Sequence, residues 1–358
     1  MTALITVVSF LVIIIVLTLA HELGHFVTAK ISGIRVEEFA FGFPPRLFSV
    51  KRGETEYSIN AIPLGGYVKM AGEEDPNIPS SLASKSIPTR ILVLSSGSLM
   101  NLLLPLVLFS IAFMVPHDVI NEPVIIREVV LNSPAEMAGI RPGDTILSTN
   151  GRPVDSRYDL SRAIQLYLGK EMSILVQHDD MTTELVQVTP RWQPPEGEGA
   201  VGIAFDVETA LANRTITSEH EPFWRAIPTG VRTCIETMVL FKNGILSMFA
   251  GTEQLTLTGP VGIAQLTGEI ARAGMSPLLE FAAFLSINFA IINIFPLPAL
   301  DGGRIAFVLL EWVRRGKRIQ PKTEGLIHLI GFALLMAFFV AITFQDIVRI
   351  ISGESLIP

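Results

Sequence analysis

Cysteine is nearly absent from this chain, and charge is scarce. One cysteine, Cys234, stands among 358 residues. That excludes an internal disulfide framework and any cysteine-ligated metal cluster, so a bound metal must be held by histidine and carboxylate. Asp, Glu, Lys and Arg make up 17% of the chain, against about 25% in ordinary soluble proteins. The net charge of −7 comes with no basic stripe and no interleaved aromatics, which leaves no nucleic acid among the expected partners. No Lys or Arg precedes the first apolar run, and a cleaved signal peptide would need a basic leading region. What the chain has in quantity is apolar residues, 49% of the total, and they gather into long runs.

The runs are Thr2–Ala20, Ile91–Val115, Leu278–Leu297 and Gly325–Phe344. Each is about long enough to cross a hydrocarbon core. The expected fold is a multi-pass α-helical membrane protein of about four spans. Lys30, Arg35, Arg46, Lys51, Arg52, Lys69, Lys85 and Arg90 follow the first run, and Arg304, Arg314, Arg315, Lys317, Arg318 and Lys322 follow the third. The positive-inside rule puts both groups in the cytoplasm and both termini outside.

His21-Glu22-Leu23-Gly24-His25 ends the first run. Positions i and i+4 share a helix face, so His21 and His25 can offer two imidazoles to one metal. Glu22 can take a proton from a water activated there. Two interfacial histidines at the end of an anchor are the plainer alternative. The third run decides between them. It ends in Pro296-Leu297-Pro298-Ala299-Leu300-Asp301, and it enters from the same side as the first. Asp301 therefore reaches the depth of His21 and His25, and two His with one carboxylate form a catalytic zinc set with an open fourth position. His328 falls near the cytoplasmic end of the fourth run, where an interfacial role is expected.

The loop after the first span is rich in strand signals. Ile34–Phe43 is closely apolar, and Leu47–Val50 with Tyr57–Ile62 flank Lys51–Thr55 as a β-hairpin. Gly65 and Gly66 follow, marking tight turns or the close approach of another chain. Strands at the membrane face offer an edge to an extended substrate or form a small cap with no substrate role. Glu73–Ser86 reads as a polar linker. In the second span Ser96, Gly97, Ser98 and Asn101 are small or polar. Asn101 either lines the site or makes a helix–helix hydrogen bond.

Between the second and third spans the character changes. Strand-like runs at Val124–Val130, Ile146–Ser148, Ser173–Gln177 and Glu184–Val188 alternate with Asn132–Ala135, Ala138–Asp144 and Asn150–Val154, and Tyr158–Leu168 reads as a helix. This order resembles a PDZ domain of the bacterial protease-associated kind. The resemblance implies capture of a peptide or a substrate tail by strand addition, with Val201-Gly202-Ile203 one candidate for the carboxylate loop. His178 beside Asp179-Asp180 reads as a solvated turn. Residues 221–250 read as one or two amphipathic helices on the outer membrane surface, and Leu257–Gly262 as a loop returning to the membrane. The divisions are thus 1–120, a first membrane half; 121–206, the PDZ domain; 207–276, the surface segment; and 277–358, a second membrane half.

Taken together, His21-Glu22-x-x-His25, the Gly65-Gly66-Tyr67-Val68-Lys69-Met70 block, the PDZ-like stretch and Asn293-x-x-Pro296-x-Pro298-x-Leu300-Asp301-Gly302 resemble the site-2 protease family of intramembrane zinc metalloproteases. The similarity covers essentially the whole chain and is nearest to the bacterial members that cleave anti-sigma factors. It implies zinc on His21, His25 and Asp301, with Glu22 as general base. It implies Asn293 as a contact to the unwound substrate, and Gly65 and Gly66 in a membrane-associated β-loop that screens or extends it. Family members often have Ala-Gly-Pro where this chain has Ser96-Gly97-Ser98. The expected partners are single-span membrane proteins and the bilayer of a bacterial cytoplasmic membrane. Signal-peptide remnants are a further substrate class. The rival readings are a PDZ-bearing membrane adaptor with a structural metal, and a metal transporter. A fourth protein ligand would favour the adaptor. Ligands at one depth, with no chain of carboxylates across the bilayer, disfavour the transporter.

Overall fold

The computed structural model describes residues 2–73, 75–252 and 258–352. The chain divides into two compact units, Met1–Phe113 with Phe223–Val231 and Leu257–Pro358, and Met114–Pro222 with Arg232–Thr256.

The first unit is built on helices. Helix α1 spans Thr2–Ile31 without interruption. At about 1.5 Å per residue, position 21 lies about 30 Å along it, the thickness of a hydrocarbon core. The histidines therefore fall at the far edge of the span. Side chains such as Leu4, Val8 and Val12 are exposed on its surface, which fits a face turned to lipid. Strands β1 (Val36–Arg52) and β2 (Thr55–Met70) follow, then helix α2 (Ile87–Met114).

The β1–β2 ribbon is more than a simple hairpin. Arg52 pairs with Thr55 at the turn, and Ser49 with Ser58. Val36 pairs with Met70 and Phe41 with Gly66, while Glu38 and Phe41 also face Glu56 and Ile59. The first half of β1 is thus flanked on both sides. Its residues alternate between buried and half-buried, whereas the distal part exposes Phe43, Leu47, Phe48 and Val50. Among the described residues no strand pairs with the far edge of Gly66–Met70.

The stretch expected as a polar linker is exposed over residues 75–80 but packed just after them. Ser81, Leu82 and Ala83 are buried, and the Leu82 and Ala83 amides donate to the Ala71 and Gly72 carbonyls. Leu82 joins Ile34, Val36, Val93 and Val308 in a core that binds the ribbon to the helices. Serine and proline there serve turns within a folded segment rather than a free tether.

The second unit carries β3 (His117–Asn121), β4 (Val124–Val129), α3 (Pro134–Met137), β5 (Thr145–Thr149), β6 (Arg152–Pro153), α4 (Arg157–Leu166), β7 (Met172–Gln177), β8 (Thr183–Val188), β9 (Ile203–Phe205), α5 (Val207–Ala212) and β10 (Thr215–Glu219). The main sheet runs β8-β7-β5-β4-β9, with β6 on β5, and β10 pairs with β3. Period-two apolar residues bury one face, with Ile126, Ile146, Ile174 and Val176 meeting Leu160 and Ile164 of α4. Ser156 caps α4 by accepting from the Asp159 amide. Gly202 has φ +81°, and its amide donates to the Gly199 carbonyl. The amide of this candidate carboxylate loop is thereby engaged within the loop itself. The turn expected at His178 is present, the His178 carbonyl accepting the Met181 amide, but the imidazole is not fully solvated. Its Nδ1 lies 2.7 Å from the Asp144 carboxylate, and its side chain is 16% exposed.

Residues 223–249 form one helix, α6 (Phe223–Phe249), on which apolar residues including Phe223, Trp224, Ile227 and Ile235 are exposed. The chain then re-enters the first unit. Where a loop was expected, Pro260 opens helix α7 (Pro260–Ala273), a position that suits proline's fixed φ and missing N–H; Leu257 lies outside the described residues. Helix α8 (Met275–Ile294) stops before Pro296, as its prolines require. A further helix that periodicity did not reveal, α9 (Asp301–Val313), begins on Asp301 itself. Helix α10 (Pro321–Ser352) ends the described chain. Four of these helices, α1, α2, α8 and α10, are long and apolar enough to cross a membrane.

Candidate metal centre

One turn of α1 and the first residue of α9 bring three ligand atoms together. His21 Nε2 and His25 Nε2 lie 3.0 and 3.1 Å from Asp301 Oδ2, and 3.2 Å from each other. Two donors on a tetrahedral zinc, with bonds near 2.0–2.1 Å, are about 3.3 Å apart. The spacing therefore fits such an ion. The tautomers point the same way. His25 Nδ1 lies 2.8 Å from the Val93 carbonyl, which only accepts, so Nδ1 carries the proton. Nε2 of neutral His25 then presents a lone pair to a carboxylate, and a cation between them resolves the repulsion. Ser96 Oγ donates to the same Val93 carbonyl at 2.6 Å, and Thr28 Oγ1 donates to Ser96 Oγ at 2.7 Å. His21 Nδ1 is buried with no hydrogen-bond partner among the described residues.

Close helix approach makes this pocket possible. A β-carbon at Gly24 would collide with the Ser96 carbonyl. A β-carbon at Gly97 would strike His25 Nε2 and lie 2.6 Å from His21 Nε2. Position 97 is thus a cradle for the two imidazoles, a role the sequence reading did not assign. The available signal was a Ser-Gly-Ser stretch within an apolar helix, the signature of tight packing.

The triad opens on a cavity of about 490 Å³. Glu22 lines it beside the histidines, as do Gly66, Val68 and Arg304. The Val68 backbone amide is turned toward the Glu22 carboxylate. A β-carbon on Gly66 would come 3.3 Å from Glu22 Cγ and 2.8 Å from the Ala40 carbonyl, so only glycine lets this strand run so near the acid. Arg304 Nη1 donates to Glu73 Oε2 at 2.7 Å at the same cavity. The sequence marked Arg304 only as one of the basic residues after the third run and Glu73 only as the start of a linker.

The remaining expected site residues lie outside this lining. Gly65, with φ +101°, abuts Phe43. Asn293 sits half-buried in the last turn of α8. Asn101 is 1% exposed, and its backbone carbonyl accepts from Ser286 Oγ at 2.7 Å. Its side-chain Oδ1 is buried without a partner among the described residues.

Residues 9–338 match peptidase family M50. A Clostridium perfringens protein is 38% identical over 339 residues, covering 93% of this chain and 95% of that one. The zinc metalloprotease RasP of Geobacillus kaustophilus is 30% identical, covering 96% and 97%. The regulator of sigma-W protease RasP of Bacillus subtilis is 29% identical, covering 96% and 99%. A solved PDZ domain of an SdrC-like protein from Listeria monocytogenes aligns with 24% of this chain and 90% of its own, at 19% identity and a TM-score of 0.22. With the family match running through both halves of the metal-ligand constellation, from the first span to the fourth, this chain belongs to peptidase family M50.

Proposed function

We propose that this chain is an intramembrane endopeptidase that hydrolyses peptide bonds within or near the membrane span of single-pass proteins, with His21, His25 and Asp301 holding the zinc. The observation that carries this reading is a three-donor set and an adjacent glutamate in one cavity, bordered by an unpaired strand edge. Among the described residues three donors converge rather than four, which favours a catalytic over a structural site.

A bound zinc supplies Lewis-acid activation of water and of the scissile carbonyl. Glu22 accepts the proton of the attacking water and delivers it to the leaving amine. A helical substrate hides its carbonyls in its own hydrogen bonds, so it must first unwind. The edge of Gly66–Met70, paired with no strand among the described residues, takes the extended segment as an added strand, its Met70 amide exchanging the Glu73 carboxylate for the segment. Asn293 contributes a further contact to the unwound segment. The exposed Phe43, Leu47 and Phe48 of the ribbon insert into lipid and guide the substrate to that edge.

The basic residues after α1 and α8 support a metal centre toward the cytoplasmic face of a bacterial cytoplasmic membrane, with the 121–206 domain outside. That domain selects or excludes substrates by their outer portions. A membrane-anchored anti-sigma factor is the proposed substrate class, and signal-peptide remnants are a second. The test is cleavage of a single-span substrate in detergent by wild type, Glu22→Gln and chelator-treated protein, with zinc measured in each. Glu22→Gln should retain zinc and lose cleavage by several orders of magnitude. Turnover by that variant at the wild-type rate would refute the general-base role, and zinc-free wild type would refute the site.

A further inference from the structure

Asp301 is the ligand contributed from outside α1, and it stands where a loop enters α9. From Phe295 to Leu300 the chain leaves α8, doubles back and enters α9. Leu297 and Leu300 amides donate to the carbonyls of Phe295 and Leu297. Ala299, two residues before the ligand, has φ +77°. A residue with a β-carbon is strained there and stays only when its surroundings hold it.

The hold comes from α10. His328 Nδ1 accepts the Ala299 backbone N–H at 2.9 Å. An acceptor at Nδ1 must be unprotonated, so the neutral ring carries its proton on Nε2. The Phe307 ring of α9 lies 5.4 Å from the imidazole and limits its rotation. One turn along α10, Gly331 lets the helix close on Pro298; a β-carbon there would collide with Pro298 Cβ and lie 3.0 Å from Cγ. Two adjacent loop residues are therefore pinned by two positions three apart on one helix face. Interfacial placement alone does not account for this, because the imidazole is committed to one backbone amide of the ligand loop.

We propose that His328 is a positioning residue for the metal centre. Its Nδ1 holds the left-handed turn at Ala299, and that turn aims the Asp301 carboxylate at His21 and His25. The inference rests on the zinc site proposed above. It assigns the fourth span a part in zinc binding without placing any ligand on it.

The experiment compares zinc affinity, by chelator competition, in detergent-purified wild type, His328→Asn, His328→Gln and His328→Leu. The cobalt-substituted absorption spectrum of each provides a second readout. Asn places its Oδ1 close to where His places Nδ1, whereas Gln presents its oxygen farther out, near the position of Nε2. The Asn variant should keep wild-type affinity within a few-fold and a wild-type cobalt spectrum. The Gln and Leu variants should bind zinc about 10- to 100-fold more weakly, with an altered spectrum. Equal affinity in Gln and Asn would overturn the proposal, as would loss in Asn with the helical content intact. Should Leu fail to fold, the Asn–Gln pair still decides. Failure of wild type itself to bind zinc would instead strike the metal centre.

Discussion

Gly97 of α2 lies so close to His21 of α1 that a β-carbon there would sit 2.6 Å from the imidazole Nε2. The missing side chain is therefore part of the candidate metal centre, although no atom of Gly97 is a proposed ligand. Its neighbours Ser96 and Ser98 are both buried, so the contact cannot relax by turning toward open space.

Gly97→Ala should accordingly lower zinc affinity on the order of tenfold or more, the range seen when groups supporting metal ligands are disturbed. The helices themselves should persist, since alanine is a better helix former than glycine. Metal content after dialysis, read beside circular dichroism, checks this. Full zinc occupancy in the variant would show that the helices can separate without cost.

A second prediction concerns Glu311 of α9. It accepts from Arg90 at 2.6 Å and from Arg318 at 3.0 Å, and its side chain is only 9% exposed. Burial alone would raise its carboxyl, but the Arg90 and Arg318 guanidiniums outweigh that and hold it below the usual glutamate range. Glu311→Leu leaves Arg90 buried and uncompensated, which should cost about 3–5 kcal/mol and appear as a lowered unfolding temperature in detergent. The sign with pH follows. A depressed carboxyl gives its full stabilisation above the ordinary glutamate range and loses it as pH falls through the lowered folded value.

His178 has the opposite sign. The Asp144 carboxylate, then that of Glu184, raise its imidazole above the ordinary histidine value. Its contribution is complete below the unfolded pKa and is lost as pH rises through the higher folded one. Unfolding of the full chain, followed by protection of amides in β5 and β7, should show weakening across that window. His178→Gln should flatten the dependence. An unchanged pH profile in the variant would assign the effect to another group.

Much of the site was legible before any fold was known. Helical periodicity alone puts His21 and His25 on one face. The span count, together with the positive-inside rule, brings Asp301 to their depth. Apolar runs of membrane length have one stable answer, since backbone groups in lipid must pair within the helix. The four apolar helices were therefore readable, although α1 runs eleven residues past Ala20 and α10 eight past Phe344.

Where the chain leaves that regime, the reading lost detail. Helix α9 begins immediately after a proline-broken turn, and its thirteen residues are too few for the length argument that reveals a span. The 73–86 segment is polar by composition, yet Leu82 and Ala83 are buried, because turn residues can carry a folded connection as readily as a loose one. His178 was taken for a surface residue because Asp144, its partner, is 34 positions away.

What the sequence by itself determined is which three residues could offer donors to one metal and that they gather. These depend on residue type, helical spacing and the cost of burying backbone in lipid, all of which are local. The tertiary structure alone decided how the ligands are held. The Gly97 cradle, the passage of Gly66 beside Glu22 and the His328 clasp on Ala299 each join positions remote in sequence. Such contacts arise from close packing of helices and strands, which no local pattern of residues encodes.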